Sequence, residues 1–430
     1  MQKQLSKNKY KKGQAMLIVV VLFLFLSATM VFGIVNPILK QVAISKNIIH
    51  SNESYYTAES AAEDAYYRII KAKNLYTTKT MSLNGGAVTS SITINPTNRI
   101  IAVDATTTSV VRKIQATAVL GTGFSFYYGI QSGQGGFVLQ NSSSVTGNVY
   151  SSGTVNGTGN NIISGGVVSA GASGIIHGIH ANGTAYSHTI QNSTIDGDAY
   201  YVTKTSTTVG GTSYPGSPDQ PTIPLPISDA QVSAWESLAA TGGSVTCSGG
   251  KYTISSATTT GPLKVPCDLE IKGNGIVVTV GGPIWVTGNI TTSVSPTIKM
   301  AASLGASNVA IIADNPADRS GSGIITVGQN TVFQGSGTAG SFVFMLSQNN
   351  SAETGGSTDA ISMGQGASAL VVYASHGQIT LSQSVSVKEA TAYKIILQNT
   401  ANVVYDTGLP NMVFQNGPAG GYSISSWGEI

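Results

Sequence analysis

From Ala15 to Val35 the chain is an apolar run, broken in polarity only by Ser27, Thr29 and Gly33. At about 1.5 Å per residue, such a run wound as a helix spans roughly 30 Å of hydrocarbon. Lipid offers no partner to a backbone N–H or C=O, so a segment at that depth must satisfy its own groups and is helical. Lys3, Lys7, Lys9, Lys11 and Lys12 precede the run with no acid among them. That flank is expected to stay in the cytoplasm and to send everything after Asn36 outward. The chain therefore reads as a single-pass membrane protein, N-terminus cytoplasmic, with its C-terminal region extracytoplasmic or on the cell surface.

A cleaved secretory signal would have an apolar region of about 7–15 residues and a small-x-small cleavage site. This run is longer and continues as a helix. Beyond Pro37, the residues Ile48, Tyr55, Ala58, Ala62, Tyr66 and Ile69 recur at three- and four-residue spacing and mark one apolar face. Glu53, Glu59, Glu63, Asp64, Arg68 and Lys71 supply the polar one. The expectation is one helix over 14–74, kinked at Pro37 near the membrane surface.

The lysine-rich start with Lys11-Lys12-Gly13, the apolar stretch and the amphipathic continuation together resemble the type IV pilin-like proteins. Tyr56-Thr57-Ala58-Glu59-Ser60-Ala61-Ala62-Glu63 is similar to the Ala-Glu-rich stretch behind the anchor of PilX-type minor pilins. The resemblance implies a prepilin peptidase as partner, cutting between Gly13 and Gln14, and other pilin-like subunits packing through the N-terminal helix beside membrane lipid. Major pilins usually carry an aromatic residue first after the cut and a Glu four residues later. Here those positions hold Gln14 and Ile18. A Glu in hydrocarbon needs a cationic partner from a neighbouring subunit. Its absence argues against a repeating subunit and for a minor or tip-located member. A plain signal anchor followed by a coiled segment shares most of these features.

Only 10% of residues are charged while 51 are Gly, against about 25% charged in ordinary domains. That mix suits short strands with tight turns, and the 41% apolar content supplies a core. Setting the five leading lysines aside leaves 17 basic against 19 acidic residues. No basic face for nucleic acid is expected. Two cysteines occur, Cys247 and Cys267. Export would let them pair, stabilising by about 3 kcal/mol; retention would leave two thiols.

The expected fold class is a long N-terminal α-helix followed by mainly β structure, the exported part a right-handed parallel β-helix-like stack or a β-sandwich. The divisions read as a leader 1–13, a helix 14–74 and a small antiparallel β region 75–130 packed on the helix. β-helix-like repeats 131–205, a Pro-rich linker with a short helix 206–240 and a C-terminal β domain 241–430 follow. The antiparallel region holds runs at Val88–Ile94, Arg99–Ala105, Val110–Leu120 and Phe124–Ile130, with a turn at Asn95-Pro96-Thr97-Asn98. The repeats carry an apolar-x-Gly-x-apolar signature: Val145–Val149, Ile163–Val167, Ile176–Ile179 and Ile195–Ala199, returning at Ile271–Asn274 and Val286–Ile290. One such unit cannot bury its apolar side, so stacked neighbours must build the core. Ser228 and Gln231 form a capping box before Val232, Trp235 and Leu238. Val309–Ala313 and Ala369–Tyr373 are apolar throughout, as strands covered on both faces would be. Gly417–Trp427, a Gly-Gly turn leading into a strand with a Trp, resembles the ending of an uncharacterised β domain found behind PilX-type anchors. No sortase motif is present.

For chemistry the candidates are thin. His177, His180 and His188 lie near Asp196 and Asp198, and stacking is expected to set His177 beside Asp196. Asp314 and Asp318 lie in a polar turn that lacks the oxygens of a calcium loop. Asp196 and Asp198 are the only acids in 135–205, a poor basis for a glycosidase pair. No nucleophile elbow, phosphate loop or His-Glu-x-x-His occurs. The expectation is no catalytic residue, no metal and no cofactor, and a structural role in pilus or pseudopilus assembly, tip capping or adhesion. A surface receptor or glycan is the outward partner. The alternatives are a membrane-tethered β-helical scaffold unrelated to pili and, further off, a β-helical polysaccharide-active enzyme.

Overall fold

The computed structural model describes residues 7–430 except 71–75, 84, 95–97, 109, 121–125, 294, 369, 407, 410–412 and 415–421. Two compact units emerge, Met1–Val119 with Ser423–Ile430, and Leu120–Tyr422. The boundaries read from sequence, which set 131–205 and 241–430 apart, give way to this division. The pairings below show why.

In the first unit, helix α1 (Lys7–Ile70) runs without interruption through Pro37. Its side chains from Met16 to Ile49 are exposed. Burial starts at Ser54 and continues through Thr57, Ala58, Ala61, Ala62, Ala65 and Ile69. Small side chains at those positions let a sheet approach closely. The Ser54 hydroxyl donates to the Val110 carbonyl at 2.9 Å and accepts from the Thr107 amide at 3.1 Å. Ile48, read as part of the covered face, is exposed, because the sheet begins one to two turns further on. The sheet is a meander of Thr78–Leu83, Gly86–Ile94, Asn98–Thr107 and Val110–Leu120. Its edge is closed by Tyr422–Glu429. That last strand, expected in the C-terminal β domain, belongs here instead. Arg112 meets Glu429 at 2.6 Å, the Ser425 hydroxyl donates to Thr117 O, and the Ile430 amide donates to Lys113 O. Residues Asn95–Thr97 of the expected turn, 71–74 of the expected helix end, Phe124 and the Gly417–Gly421 turn fall outside the described residues.

In the second unit every described pairing between strands is parallel, unlike the antiparallel sheets of a sandwich. The tiers do not follow chain order. At one end lies Lys251–Ile254, then the strands within 263–271, 284–292, 307–327 and 343–363, then Leu370–Leu381 and Glu389–Leu397. The next tier is Ile130–Leu139, and the stack continues through 149–157, 167–177, 185–191 and 199–205 to Ser213–Pro215. So the chain enters in the middle, winds to one end, crosses back to the other and winds in again. The seam is the pairing of Ile395, Ile396 and Leu397 with Phe137, Val138 and Leu139.

One apolar column shows what holds the tiers in register. Leu269, Ile290, Ile325, Ile361, Ile379, Ile395, Phe137, Val155, Ile176 and Ile190 follow one another as direct partners. All are buried in one continuous core. Each contributes about 1.5–3 kcal/mol of transfer free energy, and a one-residue slip would turn a whole strand's apolar set outward. The apolar-x-Gly-x-apolar signature marks corners. In Ile176–Ile179 both end residues are buried while Gly178 sits at φ 67°, where an added Cβ would lie 2.3 Å from the Gly157 carbonyl oxygen.

The Pro-rich linker starts later than expected. Thr208–Val209 and Ser213–Pro215 still pair with the tier before them, and Pro215 closes an edge strand where its missing N–H breaks no ladder. From 216 the chain forms a strap along the outside of the stack and leads to α2 (Asp229–Ala240), capped by Ser228 and Gln231 as the sequence indicates. Val232 and Trp235 of α2, with Ile227, cover Ala310, Ile312, Phe344, Leu346, Val371 and Tyr373 in a second core. The strands that read as apolar on both faces are apolar for this reason.

Candidate functional site

Three features carry the chemistry of the chain: the exposed part of α1, the candidate His/Asp cluster, and the corner of the stack beneath the strap. In α1, Met16–Ile69 is the one described segment long and apolar enough to cross a membrane, with a hydropathy of 2.9 at its most apolar window. The Gly13–Gln14 bond lies within the helical backbone. Ile18, standing where major pilins have Glu, is exposed like its neighbours.

The stacking brings His180, not His177, to Asp196, with Nε2 3.0 Å from Oδ2. His177 faces Asn192 at 3.0 Å, and His188 faces Asp219 on the strap at 3.0 Å. Asp198 accepts from the Thr212 amide at 2.7 Å. The expected His177–Asp196 neighbourhood therefore fails by one corner, because the tight turn at Gly178 puts His177 and His180 on different strands. Among the described residues no group of three or more His, Cys, Asp or Glu is placed to hold a metal ion. Cys247 and Cys267 are joined as a disulfide, Cα atoms 6.4 Å apart, at the tier that ends the stack.

The corner beneath the strap and α2 holds the buried charges. Asp314, fully buried, takes both Nε and Nη2 of Arg319 at 2.8 and 2.7 Å. Trp285 Nε1 donates to the Asp314 carbonyl at 3.1 Å, and Lys264 Nζ lies 4.1 Å from the Trp285 ring centre. Glu236 comes down from α2 beside Asp314. Burial first, and the Asp314 carboxylate second, push the Glu236 carboxyl up to about 8. Further along, His376 is gripped by Asp229 at 3.0 Å and by Glu353 at 2.5 Å. Burial alone would lower the imidazole, but those two carboxylates hold it above its ordinary value. Glu389 is fully buried, which raises its carboxyl well above the usual range, and one of its oxygens has no hydrogen-bond partner. The other accepts from the Thr391 hydroxyl.

The sequence singled out Asp314 and Asp318 as a polar turn but missed Glu236, Arg319, His376 and Glu389. A signal existed for some of them. In a chain so poor in charge, a carboxylate directly after the apolar strand Val309–Ala313 with an arginine five residues on suggests a buried pair, and Glu236 directly follows the Trp of α2's apolar stripe.

No family model matches the chain, and no curated protein matches it. Among solved structures it is similar to the competence-associated pilin ComZ from Thermus thermophilus. The likeness extends over 89% of this chain and 96% of that one, at 11% identity and a TM-score of 0.44.

Proposed function

We propose that the chain is a pilin-like, membrane-anchored surface protein that takes part, as a minor member, in the assembly of a type IV pilus or related pseudopilus, its tip capping or its adhesion. The observation that carries this reading is α1. One helix holds an exposed apolar stretch over Met16–Ile49 and, from Ser54, a face covered by its own sheet. That division suits a segment that rests first in lipid and then among other helices. The lysine-rich start, Gly13 before the apolar run and the Ala-Glu stretch at Tyr56–Glu63 agree with it. Ile18 in place of a membrane Glu favours a tip or initiating position over a repeating one. We read the parallel stack of Leu120–Tyr422 as a right-handed β-helix presented outside the membrane, and assign it no catalysis and no cofactor.

The test is the N-terminal mass of the mature protein from native membranes, with and without the prepilin peptidase. A chain that begins at Gln14 only when that enzyme is present supports the reading. An intact leader in both strains overturns it and leaves a membrane-tethered β-helical scaffold unrelated to pili.

A further inference from the structure

We propose that the groove between the strap and the corner of the stack binds a neutral oligosaccharide, with Tyr393 as its stacking platform. The argument begins at the seam. Ser132 pairs with Ala392 and Gly136 with Lys394, so Gly133, Gln134 and Gly135 together face the single residue Tyr393. A Cβ on Gly135 would lie 2.8 Å from both Cδ1 and Cε1 of the Tyr393 ring, and one on Gly133 would lie 3.2 Å from its Cα. The absence of side chains there lets the ring rest on bare backbone. The neighbouring tier slips its register in the same place, between Ala374 and Gln378. Corner segments thus widen in step and open a groove of about 580 Å³, within the range of small-ligand sites. The strap, Thr222–Leu225, forms its other wall.

The lining has a definite chemistry. The Tyr393 hydroxyl, the Gln134 amide and the Thr222 hydroxyl make no hydrogen bond to another described residue. Glu353 spends one oxygen on His376 and keeps the other. Ser152 and Ser375 give their hydroxyl protons to Ile223 O and Gln348 Oε1 and offer the groove only their oxygens, as acceptors. An aromatic ring among unspent donors and acceptors matches a sugar, which offers a C–H face to the ring and hydroxyls to its surroundings. No Lys or Arg lines the groove, and its one ionisable acid is Glu353. Uronates and other anionic sugars have nothing there to neutralise them, so the ligand is a neutral one. Three segments distant in sequence build the site: 133–152, 222–225 and 353–393. It goes beyond the pilin reading and stands whether or not the chain is cut at Gly13.

The experiment uses the full chain in detergent, against an array of neutral oligosaccharides printed beside uronate-bearing ones. Hits are followed by calorimetry. Cellotetraose, chitotetraose and mannotetraose are tested in any case, with tetragalacturonate as the anionic control. Expected is saturable binding of at least one neutral chain at a Kd of about 1 mM or tighter. It should weaken about tenfold or more in Tyr393→Ala, with the melting midpoint kept within about 2 °C. Should that variant unfold, Thr222→Trp fills the groove from the exposed strap while leaving every residue of the stack unchanged, and must also abolish binding. The proposal is overturned if no neutral chain binds, if only tetragalacturonate binds, or if binding survives unchanged in folded Tyr393→Ala and Thr222→Trp. Binding by protein that keeps its leader would leave this proposal intact while removing the pilus route. Silence from correctly cut protein would remove this proposal alone.

Discussion

Glu236 lies on the buried face of α2 beside a carboxylate that already has its arginine, and this fixes how stability must respond to pH. Its ordinary value is 4.5, and in the folded chain it stands at about 8. Below the first value both folded and unfolded chains hold the proton. Between the two, only the unfolded chain releases it, so stability falls as pH rises across that window. His376, also raised, contributes in the same direction, its stabilisation being lost as pH climbs through its folded value. Glu236→Gln should flatten the decline and exceed the wild type by about 1–3 kcal/mol above pH 8, as urea melts on either side of the window would show. An equal slope in the variant would mean that Glu236 is ionised in the folded chain. Glycines at the corners are constrained as tightly as charges. A Cβ on Gly153 would lie 2.4 Å from the Gln134 carbonyl oxygen and 2.9 Å from the Gly136 nitrogen, both backbone atoms that cannot turn aside. Gly153→Ala is expected to cost about 1–3 kcal/mol, read from thermal melts.

At the level of elements, the strap is the part whose attachment can be measured piece by piece. The buried Tyr373 hydroxyl donates to Ile227 O at 2.7 Å and accepts from Ile227 N at 3.0 Å. Tyr150 binds the strap in the same two-way manner, through Pro221 O and the Ile223 amide. Tyr373→Phe leaves two backbone groups unsatisfied, so a loss of about 1–3 kcal/mol is expected. Hydrogen exchange should quicken over 216–228 while the column through Ile395 and Phe137 stays protected; uniform acceleration would contradict a separately attached strap. Ser228→Ala, which removes the cap of α2, should cost about 1 kcal/mol. The sequence disclosed these elements unevenly. The capping box, the anchor helix and the glycine-marked corners at Gly147, Gly165 and Gly178 are local signals, and each lies where its residues indicate. The strands Thr258–Thr260, Thr297–Met300 and Val332–Gln334 escaped notice because three or four residues set no periodicity of their own. The pairing of Ile395 with Phe137 was illegible for a different reason. Every tier presents the same apolar alternation, so nothing local says which two tiers meet. The groove at Tyr393 was lost with it, since Gly133, Gly135 and Tyr393 share no stretch of sequence.

For the molecule as a whole, the two ends of the stack are finished differently. Near Lys251–Ile254 the Cys247–Cys267 bridge ties the last loop to the tier above, across 20 residues of sequence. Reduction should cost about 2–4 kcal/mol. The loss should appear first as exchange at the terminal tiers, because a stacked chain can open from its ends. Cooperative collapse of every tier on reduction would refute that. At the other end a run of stacked tyrosines, Tyr186, Tyr200 and Tyr214, has ring centres 4.5 and 4.4 Å apart and finishes on an edge strand closed by Pro215. The order of tiers has a consequence for a polypeptide made from its N-terminus. When residues 130–215 have been made, the Ile130–Leu139 strand is paired with 149–157 on one edge only, and the partner of its other edge arrives with Glu389–Leu397. The meander beside α1 likewise waits for Tyr422–Glu429. The second unit thus keeps an open strand edge until residues 389–397 are made and the first until 422–429, the condition under which strands recruit unwanted neighbours. A product stopped short by a nonsense codon or a protease would carry both edges bare. Strands 389–397 and 422–429 are thereby the closing pieces of the two units.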